Sequence, residues 1–224
     1  MLFRSGFDDT DAPQATGPEV VIEVLRPEVR LVRNGRAVSP PSGHAARLLV
    51  RLVSRDGVLA ADAAIDDLWP DAPPSAARNR LHQVLHRTRR ALGGDADGML
   101  TLTDGVLRLD SSRCGSDVGE LKALGSLTLD DPLGRARACA LLDGVTSSLC
   151  AAQFAYDEAL DDDRWDLDRR VVELAVALLD AAPDDAETRR VVWGLWDRFP
   201  EQFALGEALE HSARTAGLDH EATR

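Results

Sequence analysis

Residues 75–94 read SAARNRLHQVLHRTRRALGG. At about 100° per residue, Ala77, Leu81, Val84, Leu85, Thr88, Ala91 and Leu92 fall on one arc. Asn79, His82, Gln83, His86 and Arg90 fall opposite, with Arg78 and Arg89 on one flank and Arg80 and Arg87 on the other. The pattern predicts an amphipathic helix over 75–92, with Ser75 as N-cap and Gly93-Gly94 as its stop. Its five arginines have no acid among them. Arg pairs bidentately with guanine, and Asn or Gln with adenine, in a major groove; arginines on the flanks suit phosphates. A solvated amphipathic helix is also common without any ligand, so its surroundings must weigh between the two readings.

Upstream, Val20–Val24 and Val29–Val32 are β-rich runs, and Asn34-Gly35 is a tight-turn signal that leads into Ala37-Val38. Ser39-Pro40-Pro41-Ser42 ends this small antiparallel sheet and opens a helix with Ala45, Leu48, Leu49, Leu52 and Val53 at helical spacing, closed by Gly57. Leu59 to Trp69 reads as a second helix capped by Asp62 and stopped by Pro70. Downstream of 75–92, Met99–Thr103 and Val106–Leu109 flank Asp104-Gly105, a second hairpin signal. The order is sheet, three helices, hairpin.

The net charge of −12 is unevenly distributed. Residues 1–19 carry one Arg against four acids, and residues 20–113 carry 14 Arg against 11 acids. Residues 114–224 carry 11 basic against 23 acidic side chains. Phosphate attraction acts within a Debye length of about 10 Å, so a basic face on the first half is compatible with an acidic whole. An apolar content of 44% with 29% charged residues excludes a disordered or membrane-embedded chain. No run reaches the roughly 18 apolar residues of a membrane span. The start, MLFRSGFDDTDAPQ, has no apolar stretch of signal-peptide length; with residues 1–18 read as a flexible leader, a cytoplasmic location is expected.

From Asp117 onward strand signals vanish. Helical candidates run 117–127, 133–143, 147–161, 166–182, 184–198 and 201–217, punctuated by Pro132, Gly144, Pro183, Pro200 and Gly217. Short helices with short joins imply stacked antiparallel pairs of tetratricopeptide-like size, although no clean 34-residue repeat stands out. Trp69, Trp193 and Trp196 are expected to pack in the core or between the halves.

Catalytic and metal signals are weak. His82 and His86 lie four apart but lack an intervening Glu and a third ligand, so surface histidines are the better reading. Cys114, Cys139 and Cys150 fit no disulfide framework or CxxC knuckle and are expected as small core groups. Asp161-Asp162-Asp163 reads as a solvated helix end and linker, not a calcium loop. GxxxxGK[ST], GxSxG and GxGxxG motifs are all missing from the sequence. The expectation is a non-enzyme with no cofactor and no metal.

Taken together, VLRPEVRLVRNGRAVSP, HAARLLVRLVSRDGVLAADAAIDDLWPDAPP, the helix 75–92 and MLTLTDGVLRLD resemble the winged-helix domain of OmpR/PhoB type. The form is that of actinobacterial antibiotic regulatory proteins, the SARP/AfsR-like group. The single Lys122 beside 25 arginines suits a high-GC bacterial genome. Two positions depart from the family pattern: Gly105-Val106 replaces the usual Gly-Tyr in the wing, and Thr88 stands where an aliphatic is common. LLDGV, RWDLDRRVVELAVALLDAAPDDAETRRVVWGLWDRFPE and the closing AGL resemble the bacterial transcriptional activator domain that follows such winged helices.

The resemblance implies an α+β winged helix over 19–113 and an all-α tetratricopeptide-like domain over 114–224. It implies a transcriptional regulator of double-stranded DNA, with Asn79, His82, Gln83, His86 and Arg90 facing bases. Arg78, Arg80, Arg87 and Arg89 would divide between phosphates and packing. Thr103, Asp104 and Arg108 would approach the adjacent backbone or minor groove, and Arg47 and Arg51 would add phosphate or partner contacts. The helical half would serve a homodimer or contact RNA polymerase. The competing expectation is a docking module of a larger actinobacterial protein, without DNA affinity.

Overall fold

The computed structural model describes residues 17–93, 98–125 and 129–215. Most of the expected leader, together with Gly94 and the ends of the candidate helices 117–127 and 201–217, lies outside them. Asn34 and Gly35 take positive φ of 47° and 74°, and Asp104 and Gly105 take 51° and 74°. Both central residues of a type I′ hairpin turn require that conformation, so the two dipeptides build the two hairpins that frame the first half.

The first sheet has the order β3-β2-β1-β7. Strands β1 (Val20–Glu23), β2 (Arg30–Arg33) and β3 (Arg36–Val38) pair antiparallel. β7 (Cys114–Ser116) joins β1 in parallel, Val20 against Cys114. The second sheet has the order β4-β6-β5, from β4 (Val58–Ala60), β5 (Leu100–Thr103) and β6 (Val106–Leu109). In chain order α1 (His44–Ser54), α2 (Ala61–Leu68) and α3 (Pro74–Leu92) fall between β3 and β5. α1 buries Leu48, Leu49 and Leu52 almost completely; each such side chain contributes about 1.5–3 kcal/mol. Trp69 is buried too, its ring tilted over His44 at 5.1 Å.

Three local expectations are corrected. Leu59–Trp69 is not one helix, because Val58–Ala60 pairs with β6 as β4 before α2 begins. Asp62 therefore lies in the first turn of α2, where the extended Ala60 holds the cap position. Ser75 does not cap α3, since Pro74 occupies its first turn; proline's fixed φ is already helical and its missing N–H leaves no donor unpaired there.

The second half contains α4 (Asp117–Ala123), α5 (Pro132–Gly144), α6 (Asp161–Ala181), α7 (Ala186–Arg198) and α8 (Phe203–Thr215). α5 packs on α6 and α7, and α6 on α7 and α8, which is the nearest-neighbour stacking of helical hairpins. The chain is thus an α+β winged helix, with β5-β6 as its wing, followed by an all-helical tetratricopeptide-like region. The expected helix 147–161 is not formed. Turns occupy this segment, and only Glu158–Leu160 makes a short 3-10 turn before α6. Its amides bond elsewhere: Thr146 donates to the Leu25 carbonyl (3.1 Å), Cys150 to that of Val24 (2.9 Å), and Ala152 and Gln153 to that of Pro27 (3.0 Å each).

The same region sews the two halves together. The Asp117 carboxylate accepts the amides of Val24 and Leu25, both at 2.8 Å, and that of Val118 at 2.9 Å. Burial nevertheless pushes this carboxyl up to about 6, against the pull of its three donors. The three cysteines are free and buried; burial pushes the thiols of Cys114 and Cys150 up to about 11 and 12, so both are neutral core groups at physiological pH. Trp193 departs from the core expectation. It is half exposed, with its ring edge-on to Trp196 at 5.3 Å.

Candidate nucleic-acid interface

α3 is 19 residues long, about 28 Å at 1.5 Å per residue. Ala77, Leu81, Val84, Leu85, Thr88 and Leu92 are buried against α1 and α2. Thr88, unusual on such a face, satisfies its hydroxyl by donating to the Val84 carbonyl at 2.9 Å. The C-terminus is tied down by Arg33 at the end of β2, whose Nη2 donates to the Ala91 carbonyl at 3.2 Å. Gly93 closes the helix at φ 153°, with Arg33 beneath it. The core fixes one side of α3 and leaves the other outward.

Asn79, His82, Gln83, His86 and Arg90 are all exposed, as are Arg78, Arg80 and Arg87. None of these eight side chains has a hydrogen bond or ion pair among the described residues. Arg89 differs: it is half-buried, and its Nε donates to the Leu100 carbonyl of β5 at 2.8 Å. That bond fastens the wing to the Arg78/Arg89 flank of α3. The wing turn is held at its other side, where Ala61 at the start of α2 donates to the Gly105 carbonyl at 2.8 Å. Thr103, Asp104 and Arg108 are exposed on this braced hairpin. Asp104 puts an unpaired carboxylate at its tip, a group that repels phosphate.

Arg47 and Arg51, expected as phosphate or partner contacts, are engaged within the chain. Both lie on α1 at the seam with the helical half. Arg47 donates to Asp157 at 2.8 Å. Arg51 reaches Asp67 of α2 and Asp163 of α6, both at 2.6 Å, and the Ala159 carbonyl at 3.1 Å. Arg55, one turn further, also faces Asp163 at 3.2 Å. The side chain of Arg51 is only 11% exposed, so a phosphate would have to displace two carboxylates to reach it. Asp163 is buried accordingly, within the first turn of α6 and not in a solvated linker. Acids there also complement the positive end of the helix dipole.

A survey of the arginines in residues 20–113 gives the electrostatic pattern. Arg26 and Arg30 pair with Glu23, Arg47 with Asp157, Arg51 with Asp67 and Asp163, Arg55 with Asp163, and Arg113 with Glu19. Arg33 and Arg89 bind backbone carbonyls. Arg36, Arg78, Arg80, Arg87, Arg90 and Arg108 have no partner among the described residues. Four of these six lie on the outer face of α3 and a fifth on the wing. Sequence reasoning missed Asp67, Asp157 and Asp163 as counter-charges. The four-residue spacing of Arg47, Arg51 and Arg55 marks a basic stripe, but its partners from the helical half lie more than 100 residues away.

No known protein-family model matches the chain. No curated protein matches it either. Among solved structures, the chain is similar to Mycobacterium tuberculosis EmbR in complex with a low-affinity phosphopeptide. The two are 20% identical with a TM-score of 0.52, over 89% of this chain and 69% of EmbR. The likeness is one of fold, and it extends through both the winged helix and the helical region.

Proposed function

We propose that the chain is a DNA-binding transcriptional regulator that inserts α3 into the major groove of double-stranded DNA. The observation that carries this reading is the outward, unpaired set Arg78, Arg80, Arg87 and Arg90, interleaved with Asn79, His82, Gln83 and His86 and free of acids. Unpaired guanidinia beside amide and imidazole side chains match phosphate and base-edge chemistry at once. Residues 19–113, with β7 completing their first sheet, form the reading unit, and the helices from α4 onward form the helical domain, which serves self-association or contact with RNA polymerase in the cytoplasm. Its excess of acids repels duplex and confines binding to one face.

Binding of a labelled random duplex to the full chain at 50 and 200 mM salt tests this. Six to ten phosphate contacts weaken affinity by roughly 10³–10⁵ over that interval; four to five contacts should still give roughly 10²-fold or more. A flat response, or no binding at the lower salt, contradicts the reading and favours the docking module.

A further inference from the structure

Resting on the reading of α3 as the DNA-facing helix, we infer that it reads an asymmetric half-site: two A·T pairs toward its N-terminal end and a G·C pair toward its C-terminal end. Asn79, Gln83, His86 and Arg90 lie within about 60° of one another around the helix axis at 100° per residue. All four are exposed, and none is held by another described side chain. They form a stripe about 17 Å long without an apolar or acidic member. His82 lies at its edge.

The order of chemistry along the stripe sets the order of bases. Asn79 and Gln83 each present one acceptor and one donor fork, the complement of adenine N7 and N6. They are about 6 Å apart along the helix, which spans one to two base steps in the groove. Arg90 presents two parallel donors, the complement of guanine O6 and N7. It lies about 17 Å from Asn79 along the helix, which spans about four base steps in the inclined major groove, where successive bases meet residues roughly three positions apart. His86 lies between them, within reach of a purine N7. The flanks make the site directional as well. Arg80 and Arg87 are both free on one side, whereas Arg89 on the other is fastened to β5, so the wing accompanies the Arg78 strand only. Asp104 puts a carboxylate at the wing tip, which would weaken a phosphate contact there.

Selection from a randomised duplex library with the full chain reads this directly. The expected product has two A·T pairs one to two steps apart, and a G·C pair about four steps from the first. Asn79→Arg should convert the first A·T preference to G·C and leave the rest unchanged. Arg90→Ala should relax the G·C position by roughly 5- to 150-fold. Thermal unfolding of both variants checks that they fold as the parent does. Salt-dependent binding with no preference, a different motif, or a motif indifferent to Asn79→Arg overturns the half-site and leaves DNA binding standing. Failure to retain any duplex at low salt overturns both.

Discussion

α1 and α3 both carry arginines at helical spacing, pack against each other and belong to the same small domain, yet their charges have opposite fates. On α1 and at its C-terminal cap, Arg47, Arg51 and Arg55 face Asp157, Asp67 and Asp163. On α3, Arg78, Arg80, Arg87 and Arg90 face no carboxylate among the described residues. The difference is positional: the acidic 157–163 segment is laid over α1 by the bonds of residues 146–153 to residues 24–29, and α3 lies outside that seam. A count of basic residues would treat the helices alike. The pairing separates a structural basic face from one with charge available for a ligand.

The sharpest way to break this comparison is Arg51→Met. It strips Asp67 of its guanidinium and leaves Asp163 with Arg55 alone in a poorly solvated joint, and removing one partner from such a site costs about 3–5 kcal/mol. Chemical denaturation should show that loss, while the folded fraction keeps the parent's salt dependence on duplex.

Asp117 tests the seam through pH. Its carboxyl is raised to about 6 in the fold, above the ordinary aspartate value. Its contribution to stability is therefore complete below about pH 4 and lost as pH rises through 6. The swing is about 3 kcal/mol at 1.36 kcal/mol per unit. Asp117→Asn cannot ionise, so the stability difference between parent and variant should move by about that amount in the parent's favour from pH 7 to pH 4. A pH-independent difference removes the buried carboxyl from the account.

The outer face of α3 should behave in the opposite sense. Arg80→Gln and Arg87→Gln together should change stability by less than about 0.5 kcal/mol, as for surface substitutions without partners. A larger loss in thermal unfolding would mean that these side chains have a structural role. A comparably small effect is expected at the wing tip, where Asp104→Asn removes a repelling charge and should tighten duplex binding about two- to threefold at low salt, with the gain fading as salt rises.

The parts of the fold legible in the sequence are those written in adjacent residues. Asn34-Gly35 and Asp104-Gly105 specify their turns by φ preference alone, and the apolar arc from Ala77 to Leu92 specifies which side of α3 is buried. β4 and β7 were not legible, because each is three residues long and defined by a partner far along the chain. Residues 147–161 carry a helical pattern in Leu149, Cys150 and Leu160, yet their amides find the exit of β1 instead. The same divide runs through the candidate site. Asn79, His82, Gln83, His86 and Arg90 lie where the local pattern puts them, whereas the engagement of Arg47 and Arg51 depends on tertiary contacts no local pattern encodes.

The contrast between the two helices is tested most directly by the slope of log affinity against log salt for the full chain on random duplex. The parent should be compared with a variant carrying Arg78→Gln, Arg80→Gln, Arg87→Gln and Arg90→Gln, and with Arg55→Gln as the control from α1. At about 0.9 counterions per phosphate contact, loss of Arg78, Arg80 and Arg87 from the phosphates should cost the fourfold variant about three units of slope, and the control almost none. Equal slopes for the parent and the fourfold variant would contradict the assignment of α3 as the DNA-facing helix.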